Sequence, residues 1–250
     1  MELLEGRISV EAALLAHKRR FQMVGLRAGL HEETIPLICS EAEKQNIPIK
    51  RLSSEEIDRM AHGKTHGGVV ALCSAKQEPE FDAFYEQFKL WFAPLLVLLE
   101  GVDDEQNFGF TLRTAEAMGA CAVLLKKHLW DFDGSAVSRA SSGAYERLPV
   151  ILFEEVDRVI GRLQRHGVKL YGCIANAQKT LYEVNLAEAV ILAIGGEKRG
   201  LSAAVRDRCD KLIKIPMLTD IGSLSLSHAA AILLAEAMRQ RRSPRDGAEQ

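Results

Sequence analysis

Three polar segments, each placed after an apolar run, hold the side chains with the most chemical capacity. The first, EGVDDEQNFG, leads into a helical pattern with Asn107 near its start and Arg113 about a turn and a half further on. By themselves these two residues read as a helix cap and a surface cation. The second, IGGEKRGLS, sets glycines 195, 196 and 200 around Glu197, a composition that lets backbone approach a ligand closely or makes a tight strand–helix turn. It is neither a Walker A loop, since no GK[ST] follows, nor a GxGxxG dinucleotide turn. The third, KIPMLTDIGSLSLSH, alternates Ser223, Ser225 and Ser227 before His228. No GxSxG elbow or oxyanion loop accompanies these serines, which disfavours a Ser–His–Asp hydrolase and favours helix capping.

The surrounding pattern says how such segments are held. From Pro94 the chain alternates strands LLVLLE, AVLLK, PVILF, KLYGCI, AVILAIG and KLIKIP with helices around FTLRTAEAMG, SAVSRASSG, EEVDRVIGRLQRHG, AAVRDRCD and SLSHAAAILLAEAMRQR. Continuous apolar strands alternating with helices predict an α/β fold, a parallel sheet covered by helices on both faces. Ligands in such sheets bind beyond the carboxyl ends of the strands, which directs attention to the loops after LLVLLE, AVILAIG and KLIKIP. Residues 1–75 combine helical periodicity in VEAALLAHKRR, an apolar stretch TIPLICSEAEKQ and a strand GGVVALCS, predicting a smaller α/β domain. AKQEPEFDAFYEQFKLWF mixes charge with aromatics and is read as a linker or amphipathic connector over 76–92, ahead of a second domain over 93–243.

The chain has 250 residues, 47% of them hydrophobic, enough for a full core. Its longest apolar run, Leu90 to Leu99, contains Pro94 and is too short to span a bilayer, so it reads as a buried strand. The N-terminus lacks a secretory pattern, so the expected location is the cytoplasm, with no membrane partner. Five cysteines without a CxxC pair argue against a disulfide framework and against a metal site. With a net charge of −2, any nucleic-acid binding has to rest on local patches such as HKRRF at 17–21 and RQRRSPR at 239–245, although each also reads as a solvated helix end.

Taken together and in this order, NFGFTLRTAEAMGA, AIGGEKRGLS and KLIKIPM…GSLSLSHAAAILLAEA resemble the three motifs of the SPOUT-class RNA ribose 2′-O-methyltransferases, the SpoU/TrmH-like group. The resemblance spans residues 95–241, including VSRASSGAYERLPV between the first two motifs. Residues 7–75, ending in THGGVVAL, are similar to the substrate-binding domain that precedes the catalytic domain in many members. The resemblance implies a C-terminal deep trefoil knot, S-adenosylmethionine as methyl donor, and a homodimer whose sites borrow residues from the partner. Gly195, Glu197, Ile215, Met217 and Leu224 match the donor-binding positions. Asn107, Arg113, Glu197, Ser223 and Ser225 match the catalytic ones. Arginine is permanently protonated, so Arg113 is read as a clamp on the phosphate beside the target ribose, with a phosphate oxygen or water taking the proton. Asn107 and Ser223 are read as orienting Arg113 or the ribose. Two departures stand out: Ser225 occupies the position of the family's usual asparagine, and Glu105 follows Asp104 where the family has proline.

The N-terminal domain favours ribosomal RNA as substrate, with transfer RNA the alternative, and His17, Lys18, Arg19 and Arg20 are the candidate contacts to the RNA backbone. The competing readings are a non-catalytic RNA-binding relative and an enzyme that methylates a base nitrogen. Presence of Asn107, Arg113, Glu197 and Ser223 together argues against the first, and the Asn…Arg arrangement argues against the second. His228 is read as a packed helix residue.

Overall fold

The structure, a computed structural model, describes residues 1–62, 64, 66–127, 131–219 and 222–242. Asp220 and Ile221 of the third motif, and Ser243, Pro244 and Arg245 of the basic tail, lie outside the described residues. The chain runs β1 (Glu2–Glu5), α1 (Arg7–Ala16), β2 (Phe21–Arg27), α2 (Pro36–Lys44), β3 (Ile49–Leu52), α3 (Ser54–Met60), β4 (Val69–Cys73), α4 (Phe81–Phe88), β5 (Leu95–Glu100), α5 (Glu105–Ala117) and β6 (Ala122–Lys126). It continues through α6 (Gly134–Ala140), α7 (Ala144–Arg147), β7 (Val150–Phe153), α8 (Val156–Arg165), β8 (Lys169–Cys173), β9 (Lys179–Thr180), β10 (Val190–Gly195), α9 (Ala203–Arg206), β11 (Lys211–Lys214) and α10 (Leu226–Arg242). These elements form two compact units, Met1–Glu78 with Phe132–Arg147, and Pro79–Asp131 with Leu148–Gln250. Among the described residues no helix is long and apolar enough to cross a membrane.

The first unit is built on a four-stranded sheet in the order β1-β4-β2-β3. Its core joins Leu4, Val24, Leu26, Val69 and Ala71 of the strands to Val10, Ala13 and Leu14 of α1 and Ile38 and Ala42 of α2. The stretch TIPLICSEAEKQ is thus largely helical, with Pro36 at its first turn, where a missing N–H costs nothing. Helix α1 stops at Ala16 because His17 turns left-handed (φ 53°), and the basic residues behind it lead into β2 instead of extending the helix.

That turn sends Arg19 inward. Its side chain is fully buried, with Nε 2.8 Å from Glu146 Oε2, Nη2 2.9 Å from Glu146 Oε1 and Nη1 2.5 Å from Glu2 Oε2. Burial alone would lower its pKa, but the two carboxylates raise it further above its ordinary range. The sequence-based assignment of Arg19 to RNA backbone contacts is therefore corrected: a bidentate, desolvated guanidinium has no face left for a phosphate. Lys18 is half-committed, donating from Nζ to the Arg147 carbonyl at 2.9 Å. His17 and Arg20 remain exposed.

The second unit carries a seven-stranded, wholly parallel sheet in the order β7-β6-β5-β10-β8-β11-β9, as the unbroken apolar strands require. One face holds Leu96, Leu98, Leu124, Ile151, Leu170 and Ile191 against α4 and α8. The 76–92 segment thus contributes α4, whose Phe81, Phe84 and Phe88 at helical spacing are buried in that core. Helix α10 packs along α5 and β10, burying Ala230, Leu233, Leu234 and Ala237. Helix α9 is only four residues long. The AAVRDRCD pattern stops early because Asp210 is drawn to β8, its N–H donating to the Leu170 carbonyl and its carboxylate accepting from Leu170 N at 2.8 Å.

Removing one member of a buried ion pair leaves the other charge desolvated, at a cost of about 3–5 kcal/mol. Glu146→Ala should lower unfolding free energy by that order in urea titrations of the full chain. A loss indistinguishable from that of an exposed pair such as Lys198–Asp103 would contradict the account.

Candidate active site

A parallel sheet delivers all its strand ends to one edge, and the chain uses that edge. A cleft of about 220 Å³ is lined by Cys173, Ile174 and Ala175 after β8, Ile194 to Glu197 and Gly200 at β10, Ile215 and Met217 after β11, and Ser223, Leu224 and Ala229 around the start of α10. Register explains the convergence, since Gly195 lies opposite Glu100 of β5 and Ile194 beside Cys173 of β8. The cleft thus gathers all five residues expected to bind the methyl donor, Gly195, Glu197, Ile215, Met217 and Leu224, together with Ser223.

The glycines serve close approach. A Cβ on Gly195 would stand 2.1 Å from the Gly200 carbonyl carbon, and one on Gly196 would stand 2.1 Å from the Gly101 carbonyl oxygen. Backbone bonds Gly196 N to Glu100 O (2.6 Å) and Gly200 N to Gly196 O (2.8 Å) close the turn. Beneath it Glu100, almost fully buried, accepts from Ser202 N at 2.7 Å and from Lys126 Nζ at 2.5 Å. Burial would push that carboxyl up, but the Lys126 ammonium and the Ser202 donors outweigh it and hold it below the usual carboxylate range. Burial pushes the Cys173 thiol up to about 11, so it forms part of the wall as a neutral group.

Asn107 lies beside the cleft and closes a second, smaller hollow with Asp103, Asp104, Glu197 and Leu226. It is not the cap of α5: Asp104 is, accepting from Asn107 N at 2.6 Å, which leaves the Asn107 amide free to bridge motifs. Its Oδ1 accepts from Ser227 Oγ at 2.9 Å and its Nδ2 donates to Glu197 Oε1 at 3.4 Å. Lys198 Nζ reaches Asp103 at 2.6 Å as a second tie between the same loops. Ser225 caps α10, accepting from His228 N at 3.4 Å, and its hydroxyl lies 2.5 Å from His228 Nδ1. His228 is exposed, so its reading as a packed residue is corrected. Arg113 projects from the exposed face of α5 and makes no ion pair among the described residues. This chain alone does not bring it to the cleft. Among the described residues no group of three or more His, Cys, Asp or Glu is arranged to hold a metal.

The model of the SpoU rRNA methylase family matches residues 94–235, which contain every part of the site just described. The chain belongs to the SpoU rRNA methylase family. A second family model, RNA 2′-O ribose methyltransferase substrate binding, matches residues 3–79. The chain is 33% identical over 243 residues to the 23S rRNA (guanosine-2′-O-)-methyltransferase RlmB of Pseudomonas aeruginosa, covering 96% of this chain and 97% of that one. A crystal structure of an RNA 2′-O ribose methyltransferase matches with a TM-score of 0.74 at 26% identity, over 96% of this chain and 88% of that one. The SpoU methyltransferase AviRb from Streptomyces viridochromogenes, solved in complex with AdoMet, matches with a TM-score of 0.79 over 97% and 91%; at 22% identity that likeness is one of fold.

For this SpoU-family chain, sequence reasoning missed the strand-end residues Cys173, Ile174 and Ala175, the capping role of Asp104, and the links made by Ser227 and His228. Only the alternating serines carried a signal for the last of these.

Because no Cβ fits at the crossing, Gly196→Ala should cost about 1–3 kcal/mol and lower the melting temperature; unchanged thermal unfolding would refute the close approach. Glu100, with its folded pKa depressed, contributes stability that is complete above its unfolded-chain pKa, near 4.3, and is lost as pH falls through the lower folded value. Acid titration of stability should therefore be shallower below about pH 4.5 in Glu100→Gln than in the wild type. Parallel curves would show that Lys126 and Ser202 do not hold that carboxylate.

Proposed function

We propose that this chain transfers a methyl group from S-adenosylmethionine to a ribose 2′-hydroxyl of ribosomal RNA, working as a homodimer whose C-terminal segments form a deep trefoil knot. The observation that carries this reading is the carboxyl edge of the sheet, where the second and third polar segments line one cleft and the first closes an adjoining hollow against Glu197 and Leu226. Family membership and the names of the relatives support the ribosomal substrate. The donor set fits S-adenosylmethionine: apolar walls from Ile174, Ile194, Ile215 and Leu224 suit an adenine ring, while close backbone and the Glu197 carboxylate supply polar contacts. When bound, that molecule supplies a methyl carbon activated by a sulfonium.

The chain's residues supply position and charge. Methyl transfer is an in-line displacement, so most of the barrier is lowered by alignment of the 2′-oxygen. Asn107, fixed by Ser227 and Glu197, presents an oriented amide at the mouth of the cleft. Ser223 offers a hydroxyl from its wall. Arg113 grips the phosphate beside the target ribose, and that phosphate or a water takes the proton. Dimerisation brings Arg113 to a site, and the exposed Phe110, Met217 and Leu218 supply apolar surface for the contact. The N-terminal domain, residues 1–75 by this reading, selects the folded RNA by shape, with His17 and Arg20 as backbone contacts.

Incubation of the chain with unmodified ribosomal RNA and S-adenosylmethionine, followed by nucleoside mass spectrometry, should yield a 2′-O-methylated nucleoside. A methylated base, or no product from protein that binds the donor, would overturn the proposal. Lysine cannot reproduce a bidentate guanidinium, so Arg113→Lys should reduce kcat/KM on the order of 10²-fold. Near-full activity would remove the clamp.

A further inference from the structure

We propose that His228 is a positioning residue for this reaction, fixing the Asn107 amide through two serine hydroxyls; the inference rests on the methyl-transfer reading above. A count of hydrogens gives the direction. Ser227 Oγ has one hydrogen and donates it to Asn107 Oδ1, since an amide oxygen only accepts. Ser225 Oγ, 3.2 Å from Ser227 Oγ, must then be the donor in that contact. Ser225 has no second hydrogen for His228 Nδ1 at 2.5 Å, so that nitrogen carries one and donates it. The donors run one way, from His228 through Ser225, Ser227 and Asn107 to Glu197 Oε1.

A bare Nδ1 would turn the Ser225 hydrogen toward the imidazole. Two hydroxyl oxygens would then face each other with no hydrogen between them, and the buried Ser227 would lose its support. The imidazole is exposed, so packing does not require it. Its consequence is orientation of the polar amide that borders the cleft and contacts Glu197.

The test compares His228→Leu, His228→Asn and His228→Gln in the full chain. Asparagine places its amide nitrogen where Nδ1 stands, whereas glutamine reaches only to the position of Nε2. His228→Leu should lower kcat roughly 10- to 100-fold, with KM for ribosomal RNA, the calorimetric Kd for S-adenosylmethionine and the melting temperature little changed. His228→Asn should recover most of the loss and His228→Gln should not. Wild-type turnover in His228→Leu, a loss confined to KM or Kd, or His228→Asn as slow as His228→Leu would each overturn the proposal. Nitrogen-15 NMR of the ligand-free chain reads the tautomer without any activity: a hydrogen on Nδ1 is expected, and a bare Nδ1 refutes the donor chain. A wild type that carries Nδ1–H yet transfers no methyl group would instead sink the methyl-transfer reading.

Discussion

Two backbones cross at Gly195 and Gly196 more closely than any side chain allows, and the site depends on that crossing. With a Cβ at either position only 2.1 Å from a neighbouring backbone atom, the turn after β10 would have to lift away from the Gly101 loop and from Gly200. Glu100 anchors the same crossing from below by binding Ser202 and Lys126, so a buried carboxylate and two missing side chains act together. The first makes the loop rigid; the second lets it come close. A rigid, closely approached backbone suits recognition by main-chain groups, which need no side-chain ordering on binding.

Around this crossing the polar side chains form bridges between loops that are far apart in sequence. Asn107 links α5 to Glu197 in the β10 loop and to Ser227 on α10, while Lys198 and Asp103 tie the same two loops at the surface. The exposed ion pair contributes little to stability, whereas hydrogen bonds at the edge of the cleft set the direction in which an amide points. Positional precision of this kind is what methyl transfer between bound partners demands.

The first unit follows a different logic. Its basic turn after α1 divides by burial: Arg19 is committed to Glu146 and Glu2, Lys18 is half-buried on a carbonyl, and His17 and Arg20 face water. Glu146 comes from a helix more than a hundred residues later, and its pair with Arg19, which no local pattern announces, helps to tie the segment Phe132–Arg147 into this unit alongside the packing of α6 on β1 and α7 on α1.

The parallel sheet, its helices and the three loops that carry polar residues are legible in the sequence, because hydrophobic period and glycine placement are local properties of the chain. The sequence also determined the family, through the order of motifs 107–120, 193–202 and 211–237. The tertiary structure alone decided that Asp104 and not Asn107 caps α5, that KLYGCI contributes a wall of the cleft, that Arg19 is interior, and that His228 reaches Ser225. The wall and the buried Arg19 turn on contacts between residues remote in sequence and on the side of the left-handed His17 from which the chain emerges, while the Asp104 cap and the Ser225–His228 contact span three residues and turn on where each helix begins, and composition and spacing encode neither.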